Sequence, residues 1–400
     1  MASAIAPVAI VAQGLACAAG VGLPALTQAL RDGRSALQPY RQGADCRVPL
    51  DTWVGRVADL PTLAPAFAEW DCRATRLAWL GLQADGFIDA VLAARTRFGA
   101  ARLGLVLGTS ASTIDASEQA YRMLAEDGGF PAPLRHEHLN TMHAVAAFVQ
   151  AALGLQGPCA TLSTACSSSA QAFAQAERWL RLEVVDAVVV AGVDALCESV
   201  LFGFNALQLV SPEPCRPFDV RRRGISVGEA AGYALLQRGP GALELRGYGQ
   251  SNDAHHMSSP HPQGLGAELA LDAALARAGV QAAQIDLLKL HGTATPRNDE
   301  VEAALVARRY RSDLHASATK GVTGHTMGAA GIVEALLCLG ALEHGLRAGS
   351  AGTEEVDPAF GTTFAAQLPP RAVEGPVRLA ASHSFGFGGN NCVLIFGRGA

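Results

Sequence analysis

The chain reads as a layered α/β protein, and three observations predict it. Short apolar, β-branched runs alternate with Ala/Leu-rich helical patterns, the order expected of strand–helix units. The 43 glycines and 20 prolines are spread along the 400 residues, as many tight strand–helix turns require. Two helical stretches, 167–182 and 327–342, consist mostly of small and apolar residues. Helices poor in charge over several turns are buried on most sides.

Taken in order, strands are expected at 8–11, 103–107, 159–162, 188–193, 285–290 and 394–396, each a run rich in Val, Ile, Leu or Ala. Helices are expected at 143–153, 167–182, 265–278, 299–310 and 326–342. The run Gln237-Arg238-Gly239-Pro240-Gly241 is the clearest punctuation and divides the chain into 1–240 and 241–400. The two parts echo each other without an alignable repeat. Each carries one small-residue helix, entered through Cys166 in the first and His325 in the second. Two related halves would bring those entry points to one cleft; the competing reading is that Ala-rich helices are common in an Ala-rich chain.

Composition narrows the function classes. A formal net charge of −5 argues against nucleic acid as a general partner. Nine cysteines, an odd number without a CxxC pair, argue against a disulfide framework or structural zinc and favour a reducing compartment, the cytosol. No Lys or Arg precedes Arg31, so the positive region of a signal peptide is missing, and the apolar 329–342 run is broken by Glu334, which speaks against a membrane span. Among 31 basic residues only Lys289 and Lys320 are lysine, a bias that reflects coding composition; each retained lysine marks either a site needing a compact ammonium or chance.

Four segments carry chemistry. In Thr164-Ala165-Cys166-Ser167-Ser168-Ser169-Ala170 a thiol stands where a strand gives way to a helix. Unpaired N–H groups and the helix dipole there favour the thiolate. A cysteine in an apolar chain ordinarily packs as a small hydrophobe, the reading for the other eight. In Leu290-His291-Gly292-Thr293-Ala294-Thr295-Pro296-Arg297-Asn298-Asp299 a histidine ends a strand, and Asp299 is placed to cap the next helix; a structural histidine is the competing reading. In the segment from Lys320 to Gly331, His325 follows Lys320 by five residues, and Glu334 lies beyond it within the apolar helix. A lone carboxylate there would be costly, so Glu334 needs a cation, and Lys320 is the natural candidate. Finally, Ser384-Phe385-Gly386-Phe387-Gly388-Gly389-Asn390-Asn391 suits an oxyanion-binding turn better than a phosphate loop, since no GxGxxG or Walker spacing is present.

Together these segments resemble the β-ketoacyl-acyl-carrier-protein synthases, condensing enzymes of the thiolase superfamily. The likeness runs from the strand at Val8 to Phe396, with TACSSSA, HGTATPRND, KGVTGHTMGAAG and SFGFGGNN in the family's order. It implies a thiolase-like αβαβα fold of five layers with two pseudo-repeated halves. By the same resemblance Cys166 takes the acyl chain as a thioester, and His291 and His325 bind the malonyl thioester carbonyl and assist decarboxylation. Lys320 and Glu334 match an ion pair. Phe387 matches a gating phenylalanine, with Phe385 adjacent, and the N–H groups of Cys166 and Phe387 form the oxyanion hole. Thr293 and Thr295 match threonines that contact the phosphopantetheine arm of an acyl-carrier protein. No metal or bound cofactor is implied.

His325 stands where chain-starting synthases carry asparagine, which points to elongation. Chain-length-factor partners lack the active-site cysteine, so Cys166 marks the active subunit; a noncatalytic partner that shapes another synthase's tunnel is the alternative, and a coenzyme-A thiolase is disfavoured by His325. Departures from the pattern are Gly321 after Lys320, Asn390 for Thr, and Arg223 for Asp. An acidic carrier protein calls for a basic docking patch, with Arg221, Arg222 and Arg223 as candidates and Arg73 and Arg76 behind them; a solvated arginine run competes. A dimer is implied, either of two copies or with a chain-length-factor-like subunit. Residues 109–112 and 202–207 are candidates for lining the acyl pocket. The segments CRPFDVRRRGISVGEAAGYALL and DAHHMSSPHPQG resemble synthases of bacterial aryl-polyene clusters.

Overall fold

A computed structural model describes residues 4–42, 49–127 and 138–399. Its first half builds a sheet from β1 (Val8–Cys17), β2 (Leu103–Gly108), β3 (Cys159–Leu162), β4 (Ala187–Asp194) and β5 (Ala230–Arg238). The order is β1-β5-β4-β2-β3, with the short strand Gly20–Val21 beyond β1. The second half builds another from β6 (Leu243–Asn252), β7 (Leu287–Lys289), β8 (His315–Ser317), β9 (Leu379–Gly386) and β10 (Asn390–Arg398), in the order β6-β10-β9-β7-β8.

The two sheets repeat one plan. In each, the first strand pairs antiparallel with the last, the last antiparallel with the fourth, and the remaining pairs are parallel. Even an irregularity recurs: the register slips once at the fourth residue of the first strand, at Val11 in one half and Arg246 in the other.

Helices fill the layers around them. On the outer face of the first sheet lie α1 (Arg73–Gln83), α2 (Phe87–Phe98) and α3 (Ala144–Leu153). Between the sheets lies α4 (Ser168–Arg181), and α5 (Glu198–Ala206) lies nearer the cleft. The outer face of the second sheet carries α6 (Leu265–Ala278) and α7 (Pro296–Arg309). After β8, the single turn α8 (Lys320–Thr323) leads through a short 3₁₀ turn into α9 (Ala330–His344), which joins α4 in the middle layer. The result is the five-layered αβαβα arrangement with two pseudo-repeated halves.

Small residues let the middle helices touch. The Ile332 N–H donates to the Ser169 hydroxyl at 2.8 Å. A Cβ added at Gly331 would stand 2.5 Å from the backbone nitrogen of Ala170. The stretch Met327–His344 is long and apolar enough for a membrane, as is the stretch Arg73–Phe98, yet the former is enclosed between the sheets.

Most expected elements appear with ends shifted by a few residues. The expected strand 285–290 shortens to β7, while 8–11 lengthens to β1. One expectation changes. Asp299 does not cap α7: the helix begins at Pro296 after Thr295, and the buried Asp299 carboxylate instead accepts the Phe218 N–H at 2.7 Å. The strand β9, with its sequence LAASHSFG, gave no alternating apolar signal.

Replacing Gly331 by alanine tests the packing. Helix propensity alone would favour the change by about 1 kcal/mol. The approach to the Ala170 backbone outweighs it, because overpacking costs about 1–3 kcal/mol. Urea unfolding should therefore show Gly331→Ala less stable than the parent; an equal or higher midpoint would contradict the packing.

Candidate active site

Cys166 stands at the turn from β3 into α4. Ala165 before it adopts φ +52°, a left-handed conformation rare for a residue with a Cβ, and this swings the sulfur out of the strand line. The Ser168 hydroxyl fixes the turn by accepting the Thr164 N–H at 2.9 Å and donating to the Ala165 carbonyl. The His325 backbone is zipped into residues 226–228 by its own N–H to the Ser226 carbonyl and by the Gly228 N–H to its carbonyl. Its side chain then meets the thiol, with Nε2 3.0 Å from Cys166 Sγ.

The protons at His325 are placed by its other nitrogen. Nδ1 accepts the Met327 N–H at 3.2 Å, which leaves the proton of a neutral ring on Nε2, facing the sulfur. His291 lies beside it, the two rings 5.5 Å apart and nearly perpendicular. One ligand atom from each of Cys166, His291 and His325 lies within 4.8 Å of the other two. Sulfur and two imidazoles so close are also a donor set that zinc accepts.

Burial sets the electrostatics. It pushes the Cys166 thiol up to about 11, against the Lys320 charge and the Phe387 N–H that point the other way. The expected thiolate preference is thus reversed in the resting site: removing water outweighs the helix terminus. The same burial, followed by the charge of Lys320, holds both imidazoles well below their ordinary 6.5. His291 and His325 are therefore neutral donors at neutral pH.

Lys320 and Glu334 are both buried and paired, and the same ammonium donates to the His291 carbonyl. Phe385 places its ring 5.9 Å from that of His291, and Phe387 packs edge-on against Phe204 at 5.7 Å. Thr293 and Thr295 share a hydroxyl–hydroxyl hydrogen bond of 2.8 Å on the wall of a cavity of about 410 Å³. A second chamber of about 240 Å³, walled by Val200, Gly203, Phe204, Leu207 and Met327, adjoins it. Cys166 and Phe387 line both. Of the stretches expected to line the pocket, Ser110, Gly203, Phe204 and Leu207 contribute.

Two buried acids were not anticipated. Glu302 accepts the N–H groups of His291 and Gly292, each at 2.8 Å, and so holds the turn that carries His291. Asp194 accepts N–H groups from Ser110, Ala111 and Gly328, tying the turn after β2 to the turn after His325. The argument that found Glu334 does not reach Glu302, because α7 carries Asp299 and Glu300 beside it and has no apolar background against which one acid stands out.

The arginines are less available than expected. Arg222 is only 8% exposed, paired with Asp357 and stacked over Phe360, so its charge is spent within the fold. Arg221 is exposed but engaged by Asp219 and Glu354. Arg73 pairs with the buried Glu229 and Arg76 with Asp71. Arg223 is exposed and shows no ion pair among the described residues. Of the other cysteines, Cys46 lies outside the described residues, Cys159 is half-buried and the rest are buried, with no disulfide among the described residues.

Comparison with known proteins identifies the family. Residues 6–242 match the beta-ketoacyl synthase N-terminal domain and residues 243–354 the C-terminal domain. Nodulation protein E of Rhizobium sp. (strain N33) is 32% identical over 413 residues, covering 97% of this chain and 98% of the relative. A 3-oxoacyl-acyl-carrier-protein synthase 2 of Vibrio cholerae is 31% identical over 318 residues, covering 75% and 76%. Among solved structures, a ketosynthase of Xenorhabdus doucetiae, in complex with its chain length factor, superposes with a TM-score of 0.87 at 33% identity over 98% of each chain. The chain belongs to the β-ketoacyl synthase family and is a condensing acyltransferase.

Proposed function

We propose that Cys166 carries the growing acyl chain as a thioester and that His291 and His325 activate the malonyl unit condensed with it. One observation carries this reading: the sulfur and both imidazoles meet where a cavity of about 410 Å³ joins an apolar chamber of about 240 Å³. The larger cavity, with Thr293 and Thr295 on its wall, suits the polar phosphopantetheine arm of an acyl-carrier protein. The smaller suits the hydrocarbon end of the acyl group.

In the first half-reaction the sulfur attacks the acyl thioester, and the carrier thiol leaves with the proton. The oxyanion formed is met by the N–H groups of Cys166 and Phe387, where two preorganised donors are worth several kcal/mol. In the second, malonyl thioester loses carbon dioxide, and its carbonyl oxygen gains the charge. Neutral imidazoles donate hydrogen bonds to that oxygen, whereas a carboxylate in their place would repel it. The enolate carbon then bonds to the acyl carbonyl, and the Cys166 sulfur leaves. Lys320, paired with Glu334, fixes the two histidine turns and takes no bond itself.

The natural division falls at 240/241, between a half carrying the nucleophile and a half carrying both histidines. A cytosolic enzyme acting in fatty-acid or polyene chain elongation fits the resemblance. Partnership with a second copy or a chain-length-factor-like subunit is supported by the complex in which the Xenorhabdus ketosynthase was solved. Arg223 is the best candidate of its triplet for meeting an acidic carrier protein. The alternative of a noncatalytic partner subunit is disfavoured by a thiol placed 3.0 Å from an imidazole.

Cys166→Ala should abolish condensation and leave thermal unfolding unchanged. Intact-protein mass spectrometry should show an acyl adduct on the parent and none on the variant; condensation by the variant at the parental rate would end the assignment.

The pH response follows from the imidazoles. Both sit well below 6.5 in the folded chain, so malonyl decarboxylation should stay flat as pH falls through 6.5 and decline only in stronger acid. Below 6.5 the unfolded chain binds protons at these histidines that the folded chain refuses, so their contribution to stability falls with acid. A pH–rate profile with its midpoint at 6.5 would contradict neutral donors.

A further inference from the structure

Behind the His291 turn lies a chain of buried polar groups that the mechanism above leaves unused. The imidazole of His383, in β9, is fully buried between Glu302 and Tyr310. Its Nδ1 lies 3.1 Å from Glu302 Oε1 and its Nε2 lies 3.0 Å from the Tyr310 hydroxyl. A carboxylate only accepts, so Nδ1 carries the proton, and Nε2 is left to accept from tyrosine. Burial raises the Tyr310 hydroxyl above its ordinary value, so that hydroxyl keeps its proton to donate. Oε1 of Glu302 therefore receives the N–H groups of His383 and His291, while Oε2 receives those of Gly292 and Asn298. The His383 ring also lies 5.1 Å from that of Phe385, the ring beside His291.

We propose that His383, oriented by Tyr310, is a positioning residue that fixes the Glu302 carboxylate and through it the imidazole of His291. This rests on the role assigned to His291 in decarboxylation. Glu302 touches the backbone that carries His291 but has no hydrogen bond to Cys166 or His325. Losing the His383 donor leaves Oε1 free to turn toward another partner, and the His291 ring loses its fixed direction. The acylation step depends on the sulfur and its own turn, so it is spared.

The test separates the two half-reactions on intact enzyme, using octanoyl and malonyl thioesters of a phosphopantetheinylated carrier protein. Acylation of Cys166 is followed by mass spectrometry, and decarboxylation by carbon dioxide release. His383→Phe should slow decarboxylation about ten- to hundredfold, in kcat and not in KM, with acylation within about twofold of the parent. His383→Asn, which keeps an N–H donor, should recover most of the loss. Tyr310→Phe, a milder change should His383→Phe not fold, should lose about threefold or more in decarboxylation alone. Parental decarboxylation in His383→Phe or Tyr310→Phe, or a parallel fall in both half-reactions, would overturn the proposal. A parent enzyme that neither acylates nor decarboxylates would instead overturn the function assigned to the site.

Discussion

The buried pair between Lys320 and Glu334 is the interaction on which the site depends. Glu334 sits in α9, in the middle of the five layers, where burial pushes its carboxyl up to about 7 against the pull of Lys320. A charge so placed is tolerable only with its partner, and removing one member of such a pair costs about 3–5 kcal/mol. The ammonium also donates to the His291 carbonyl, while α8, which it begins, leads directly into His325. One cation thus references both imidazoles to the middle helix. The packing of α9 against α4, with Asp194 bridging the turns after β2 and after His325, sets that helix relative to Cys166.

A single physical cause, the exclusion of water, orders the chemistry around the pair. It makes the resting thiol harder to ionise, which lowers its reactivity toward stray electrophiles in an empty site. It also keeps the histidines uncharged, the form able to donate a hydrogen bond to a developing enolate. In the proposed reaction the helix terminus and the Phe387 N–H are then left to act on charge that appears at the thioester oxygen. Burial and preorganised donors therefore work in opposite directions on the ground state, and in the proposed reaction together on the transition state.

Legibility in the sequence tracked how local each feature is. Cys166, His291 and His325 were readable because each sits in a small-residue turn beside its element, and Glu334 because an acid in an apolar helix demands a cation. The helix at 265–278 and the strand at 159–162 have the observed ends, each bounded by glycine or proline nearby. By contrast β9 is mostly Ala, Ser and His between Leu379 and Phe385, which leaves no alternation to read; pairing with β7 and β10 makes it a strand. Asp299 looked like a cap because helix starts are judged locally, yet its partner is the Phe218 N–H, distant in sequence. Arg222 looked like surface charge because the run RRR carries no sign of Phe360 or Asp357, more than a hundred residues away.

The chain's own order determined the alternation of strands and helices, the two buried helices and the identity of the thiol and imidazoles, because turns, periodicity and side-chain chemistry are properties of neighbouring residues. Tertiary structure alone decided that the thiol rests protonated, that Glu302 and His383 stand behind His291, and which arginines keep a free charge. Those outcomes depend on how much water is removed and on partners brought close only when two sheets close over their middle helices.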